Sequence, residues 1–345
     1  MRKLILSSAF LLSSSLHAFN VGFNQGWLND SYAHQWSDRS YDEREAARVL
    51  DLAKNAGANT LRMWLFEGPA TTSLLWNNGQ VSGLSSEFVR NFEHFLRAAK
   101  SREIQVYVTL FDANTLKNFA TTELRDRWWN LMNNRNGART SFEKNALTPL
   151  LAILYSAEFR ATVFGLDVMN EIDAAVAEFR FQNSWTGANQ FTCGIRSVVQ
   201  SKRGSRTAIP VTASIGWPTI PLYHRGAANI ILDPNPHYSC VDFWDIHFYS
   251  DSGTIENCAK IGQLARNYGK KVYLGEFGQK SKSFDHGLQL RAAQKFVRNA
   301  KSCGFSGALA WRLTDARAAE ARFSYEAFGS ARPAYHFIRS WNRAQ

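Results

Sequence analysis

Eight short runs rich in β-branched, aromatic and other apolar residues alternate with longer segments of helical spacing. That alternation restricts this 345-residue chain to repeated β/α units around a parallel sheet. The runs are Val21–Asn24, Thr60–Trp64, Ile104–Phe111, Val163–Asn170, Ile209–Ser214, Phe243–His247, Val272–Glu276 and Gly307–Trp311. Between the first two, residues 42–56 put Ala46, Val49, Leu50 and Ala53 on one helical face ahead of a stop at Gly57. Phe88, Phe92, Phe95, Leu96 and Ala99 repeat the pattern, as do Leu290, Ala293, Val297 and Ala300 behind a cap at Asp285. The length suits two ordinary domains or one barrel. No proline-rich or glycine-serine linker and no tandem repeat divides the chain, so the expected fold is α/β, a single (β/α)8 TIM barrel spanning residues 19–345.

Ahead of the first strand, Arg2 and Lys3 precede an apolar, serine-containing stretch that reaches Leu16-His17-Ala18. This order predicts a signal peptide over residues 1–18 and a secreted or periplasmic mature chain. At 45% hydrophobic residues the chain can bury a sizeable core, and it has no apolar run of the roughly 20 residues a membrane span requires. Losing Arg2 and Lys3 lowers the formal charge from +11 to +9, so the basic excess belongs to the folded part. Its positive residues are scattered among acidic ones, as between Arg39 and Arg48, and no nucleic-acid partner is expected.

The four cysteines, Cys193, Cys240, Cys258 and Cys303, form no CxxC pair and make a poor zinc site. After export, one or two disulfides are chemically reasonable, and buried free thiols are the competing reading. Cys240 and Cys258 are nearest in sequence, but three connectivities remain open. Two longer connections, Asp112 to Ser141 and Trp217 to Asp242, follow strands, where a barrel builds its site.

Glu171 follows Asn170 at the end of one apolar run and Glu276 closes another. Carboxyl groups at the mouths of two buried strands meet the demand of retaining glycoside hydrolysis: one acid to protonate the leaving oxygen, one carboxylate to attack the anomeric carbon. Arg62, an unusual charge inside Leu61-Arg62-Met63-Trp64, is placed to hold a carboxylate ionised; the plainer alternative is a structural ion pair. His247 and Tyr249 stand two positions apart and share one strand face. Trp27, Trp36, Trp64, Trp217 and Trp311 lie at or just after predicted strand ends, where flat rings stack on pyranoses unless packing claims them for the core. Asp167 and Asp173 flank Glu171 and are given no catalytic role.

Five pieces in order along most of the mature chain, Leu61-Arg62-Met63-Trp64, Val168-Met169-Asn170-Glu171, His247-Phe248-Tyr249, Leu274-Gly275-Glu276-Phe277-Gly278 and Ala310-Trp311, resemble the cellulase-like enzymes of glycoside hydrolase family 5. The resemblance implies that Glu171 is the acid/base and Glu276 the nucleophile, with Asn170 contacting the neighbouring sugar hydroxyl. It also implies that Arg62 and Tyr249 bond the nucleophile, that His247 lines the cleft and that Trp311 is a sugar platform. Many members carry a histidine after the third strand, where this chain reads Leu110-Phe111-Asp112-Ala113-Asn114. The expected function is an exported, retaining endo-β-glycosidase on a β-glucan or β-mannan polysaccharide, using double displacement and no metal or other cofactor. A catalytically silent carbohydrate-binding barrel and a transglycosylase sharing the covalent intermediate are the alternatives.

Overall fold

A computed structural model describes residues 19–28, 34–68, 71–117, 121–177, 185–216, 240–279, 285–315, 323–327 and 329–345. The expected leader, Trp217 and most of the connection to Asp242 lie outside these residues. Eight parallel strands, Asn20–Asn24, Thr60–Glu67, Gln105–Asp112, Val163–Asn170, Val211–Thr212, Phe243–Tyr249, Lys271–Gly278 and Gly307–Ala310, form one sheet with sequence neighbours side by side. The first strand also pairs with the eighth, from Asn20 beside Gly307 to Phe23 beside Ala310. Between the fifth and sixth strands the ring closes through Ile215. Its N–H donates to the Asp245 carbonyl at 3.1 Å, and its own carbonyl accepts from the His247 N–H at 2.9 Å. The fold is the expected (β/α)8 barrel.

Several strands end later than the sequence suggests. The second continues past Trp64 to Glu67, and the sixth and seventh run to Tyr249 and Gly278. Polar or glycine residues at these ends do not stop a strand whose neighbour still offers a ladder, as Phe111 does for Glu67 and Gly278 does for Tyr249. The fifth strand is regular only over Val211–Thr212.

Helices form where the periodicity places them, and their first turns show why. Asp42 caps the helix Glu43–Asn55 by accepting from the backbone N–H of Arg44 at 2.8 Å and Glu45 at 3.3 Å, and Ala46, Val49, Leu50 and Ala53 are buried. Ser85 caps Ser86–Ser101, which buries Phe88, Phe92, Phe95, Leu96 and Ala99 against the barrel. Asp285 caps His286–Ser302 through the N–H groups of Gly287 and Leu288. Each such cap contributes about 1 kcal/mol. The buried face of this last helix centres on Ala292, Ala293, Phe296, Val297 and Ala300; Leu290, expected there, sits at its margin and is only partly buried.

The disulfides join Cys193 to Cys240 and Cys258 to Cys303. The nearest pair in sequence is not bonded, because Cys240 and Cys258 flank the sixth strand and face different neighbouring helices, Trp185–Lys202 and His286–Ser302. Inside the barrel, toward the amino ends of the strands, Tyr107, Phe164, Phe243, Tyr273 and Leu309 fill the bore; Tyr107 and Phe164 have centroids 5.4 Å apart, Phe164 and Tyr273 5.3 Å. That packed floor leaves room for polar groups only nearer the carboxyl ends. Among the described residues, no helix is long and apolar enough to cross a membrane.

Candidate active site

The second strand alternates Leu61 and Met63 with Arg62 and Trp64, so Arg62 enters the barrel, where it is fully buried. A buried guanidinium must be paired, and its charged and amide partners come from other strands of the barrel. One terminal nitrogen donates to Glu276 Oε1 at 2.6 Å and Asn24 Oδ1 at 2.9 Å, the other to Asp167 Oδ2 at 2.7 Å and Asn170 Oδ1 at 2.8 Å. Tyr249 completes the cradle of Glu276 by donating its hydroxyl to Oε2 at 2.6 Å. Gly275, just before Glu276, allows close approach of the sixth strand: an added Cβ would lie 1.5 Å from Asp245 Oδ1.

Glu171 stands one residue past the fourth strand with φ 50°, which turns its side chain over the mouth. Ser214 fixes that turn by accepting from the Glu171 N–H at 3.0 Å while donating to Asp167 at 3.0 Å. Gly216 lies against the carboxyl group, and a Cβ there would come within 2.6 Å of Glu171 Cδ. Asn114 donates to Glu171 Oε2 at 2.8 Å, and His247 Nδ1 lies 3.2 Å from Oε1. The same nitrogen is 3.6 Å from Glu276 Oε2, and Nε2 is 3.4 Å from Asp245, so the imidazole bridges the two glutamates from below.

Burial opposes charging His247, but Glu276 and the contacts with Asp245 and Glu171 outweigh it and push its pKa up to about 10. Burial raises Glu276, and Glu171's charge adds to that. His247, Arg62 and Tyr249 pull the other way, leaving the balance upward. For Glu171, burial is outweighed by His247 and Asn114, and its pKa falls below the ordinary value. The two glutamates are thus shifted in opposite directions, with the His247 ring between them.

A pH effect follows. His247's folded pKa lies above its ordinary 6.5, so its stabilisation is complete below about pH 6.5 and lost as pH rises toward about 10. The melting temperature of the parent should fall across that window, and that of His247→Gln should fall less steeply. Parallel curves would show that the ring is neutral throughout.

Of the seven residues singled out for the site, Glu171, Glu276, Asn170, His247, Tyr249 and Trp311 lie toward or just past the carboxyl ends of their strands, and Arg62, third in its strand, reaches Glu276 and Asn170 with its guanidinium. The other tryptophans divide. Trp36 is core, not cleft: it is 1% exposed among Phe88, Phe92 and Phe95 and donates its indole N–H to the Trp64 carbonyl at 3.1 Å. Trp64 is buried too, while Trp27 is half-buried; with Trp311 they form one cluster, Trp64 and Trp311 having ring centroids 5.4 Å apart and Trp27 and Trp311 5.9 Å. Arg312 backs Trp27 with its guanidinium carbon 4.2 Å from the ring centroid.

The sequence assigns no role to Asn24, Ser214 and Asp245, marks Asp112 and Asn114 only as the segment that departs from the family's histidine, and leaves Asp167 without a part although it is a direct partner of Arg62. Asp245 had a signal, lying two residues before His247 on the same strand face. Asn24 and Ser214 had none, because their partners come from register between strands distant in sequence. Among the described residues, Glu171, His247 and Glu276 form the one His/Cys/Asp/Glu group able to hold a metal ion, with one ligand atom from each within 4.8 Å of the others.

A pair of carboxyl groups this close at the mouth of a (β/α)8 barrel defines the class, a barrel glycoside hydrolase. Residues 20–317 match the cellulase family, glycosyl hydrolase family 5, and the chain belongs to that family. Among its relatives is the mannan endo-1,4-beta-mannosidase of Mytilus edulis, 22% identical over 91% of this chain and 88% of the relative. The fold is shared with the beta-1,4-D-mannanase of Cryptopygus antarcticus, at TM-score 0.70 and 19% identity over 94% of this chain and 90% of that one. It is also shared with the Mytilus edulis beta-mannanase, at TM-score 0.66 and 20% identity over 85% and 86%.

Proposed function

We propose that the chain is an exported, retaining endo-β-mannanase that cuts β-1,4-linked mannan by double displacement. The observation that carries the mechanism is the spacing of the two glutamates, which offer oxygens within 4.8 Å of each other. A covalent route needs carboxyl groups about 5 to 5.5 Å apart, whereas inversion needs about 6.5 to 9.5 Å to admit water between them. The choice of mannan rests on the relatives, and export on the sequence of residues 1–18 together with two disulfides that suit an oxidising compartment.

Exposure separates the roles. The Glu171 side chain is 15% exposed and that of Glu276 4%, and the group that exchanges protons with leaving group and water must be the more open one. Glu276, held by Arg62 and Tyr249, attacks the anomeric carbon while Glu171 protonates the departing oxygen; Glu171 then takes a proton from water, which releases the sugar. His247 Nδ1, 3.2 Å from Glu171, is close enough to exchange a proton with it. The family match supports Asn170 as the contact of the adjacent hydroxyl and Trp311, 9% exposed, as a sugar platform.

A panel of soluble β-mannan, β-glucan and xylan, with product lengths followed over time, tests the reading. Internal cleavage of mannan with retained anomeric configuration is expected. Products longer than the substrate would mark a transglycosylase, and no turnover on any glycan would leave a carbohydrate-binding barrel.

A further inference from the structure

Two polar residues at the end of the third strand converge on Glu171 and Asn170. Asp112 is buried, and its Oδ1 accepts from three groups: the Asn170 side-chain amide at 2.9 Å, the Asn114 backbone N–H at 3.1 Å and the Asn114 side-chain amide at 3.3 Å. The backbone contact closes the turn that opens Ala113–Lys117, and it aims the Asn114 amide at Glu171 Oε2, 2.8 Å away. Asn114 Nδ2 thus faces two carboxylates at once, an arrangement that only the NH2 end of the amide satisfies.

We propose that Asn114, locked by Asp112, is a positioning residue that decides which oxygen of Glu171 carries the catalytic proton; this rests on Glu171 being the acid/base. An amide NH2 only donates, so Oε2 must stay an acceptor. The amide disfavours a proton on Oε2 and so favours Oε1, the oxygen that faces His247 Nδ1 at 3.2 Å; that nitrogen is in turn 3.6 Å from Glu276. Through that nitrogen, Oε1 is the Glu171 oxygen linked to Glu276, the partner carboxyl group of the reaction. In the first step the Oε1 proton passes to the glycosidic oxygen, which keeps the electron pair of the breaking C–O bond as Glu276 bonds to carbon. The Asn114 hydrogen bond then steadies the carboxylate left behind. In the second step the same oxygen takes a proton from water, whose oxygen bonds to the anomeric carbon as the ester bond to Glu276 breaks.

The test compares the parent, Asn114→Ala and Asn114→Asp on a β-1,4-mannan oligosaccharide and on a dinitrophenyl β-mannobioside, whose leaving group needs little protonation. Asn114 is part-exposed, and the aspartate keeps its shape. Both variants are expected to lose roughly tenfold in kcat/KM on the oligosaccharide and far less on the aryl substrate. The alkaline limb of kcat/KM should move to higher pH in Asn114→Ala, because a donor favouring the anion is gone. It should move further in Asn114→Asp, where a like charge is added. Parental kinetics, or equal losses on both substrates with an unmoved limb, would overturn the proposal. Glu171→Gln run alongside separates the two ideas: if it too loses equally on both substrates, the acid assignment has failed and Asn114's part falls with it.

Discussion

Glu276→Gln should abolish hydrolysis while leaving the barrel folded. The amide keeps the size of the side chain but cannot form the glycosyl ester, so the loss in kcat on mannan should be on the order of 10^4-fold, about 5.4 kcal/mol in the barrier. Folding should survive because Arg62 keeps Asp167 at 2.7 Å and the amides of Asn24 and Asn170, and because the glutamine oxygen can still accept from it. Circular dichroism melting beside the kinetics separates lost chemistry from lost structure. Turnover near the parental rate in a folded variant would remove Glu276 as the nucleophile.

Glu171→Gln should show a different signature. An amide cannot protonate the departing oxygen, so kcat/KM on mannan oligosaccharides should fall by roughly 10^2 to 10^4-fold, and far less on a dinitrophenyl glycoside. The φ of 50° at this position is no harder for glutamine than for glutamate, and Asn114 can still donate to the amide oxygen, so the backbone should hold. Equal losses on both substrates would mean that Glu171 does not act as the acid.

Much of this was legible because it is written locally. Strand and helix periodicity needs only a few consecutive residues, and Asp42, Ser85 and Asp285 start helices through backbone groups within three positions of themselves. Position relative to a strand end sufficed for Glu171, Glu276, His247 and Tyr249, since a parallel barrel delivers all its carboxyl ends to one mouth. Aromatic residues were not legible in this way. Trp36 and Trp311 both lie at or after predicted strand ends, yet one is sealed among phenylalanines and the other packs against Trp27 and Trp64.

By itself, then, the sequence determined the repeating β/α units, their closure into one domain and the family motifs. These are properties of residues near one another in the chain, or of a pattern repeated along it. The tertiary structure alone decided the cysteine pairing, the part of Asp167 as an Arg62 partner, and the Asn114–Glu171 contact. Each depends on strand register and helix neighbours that bring together groups dozens of residues apart. A hydrogen bond between such groups is worth only about 1 kcal/mol. It leaves no periodic trace in the sequence, and its partners become visible only once the barrel has closed.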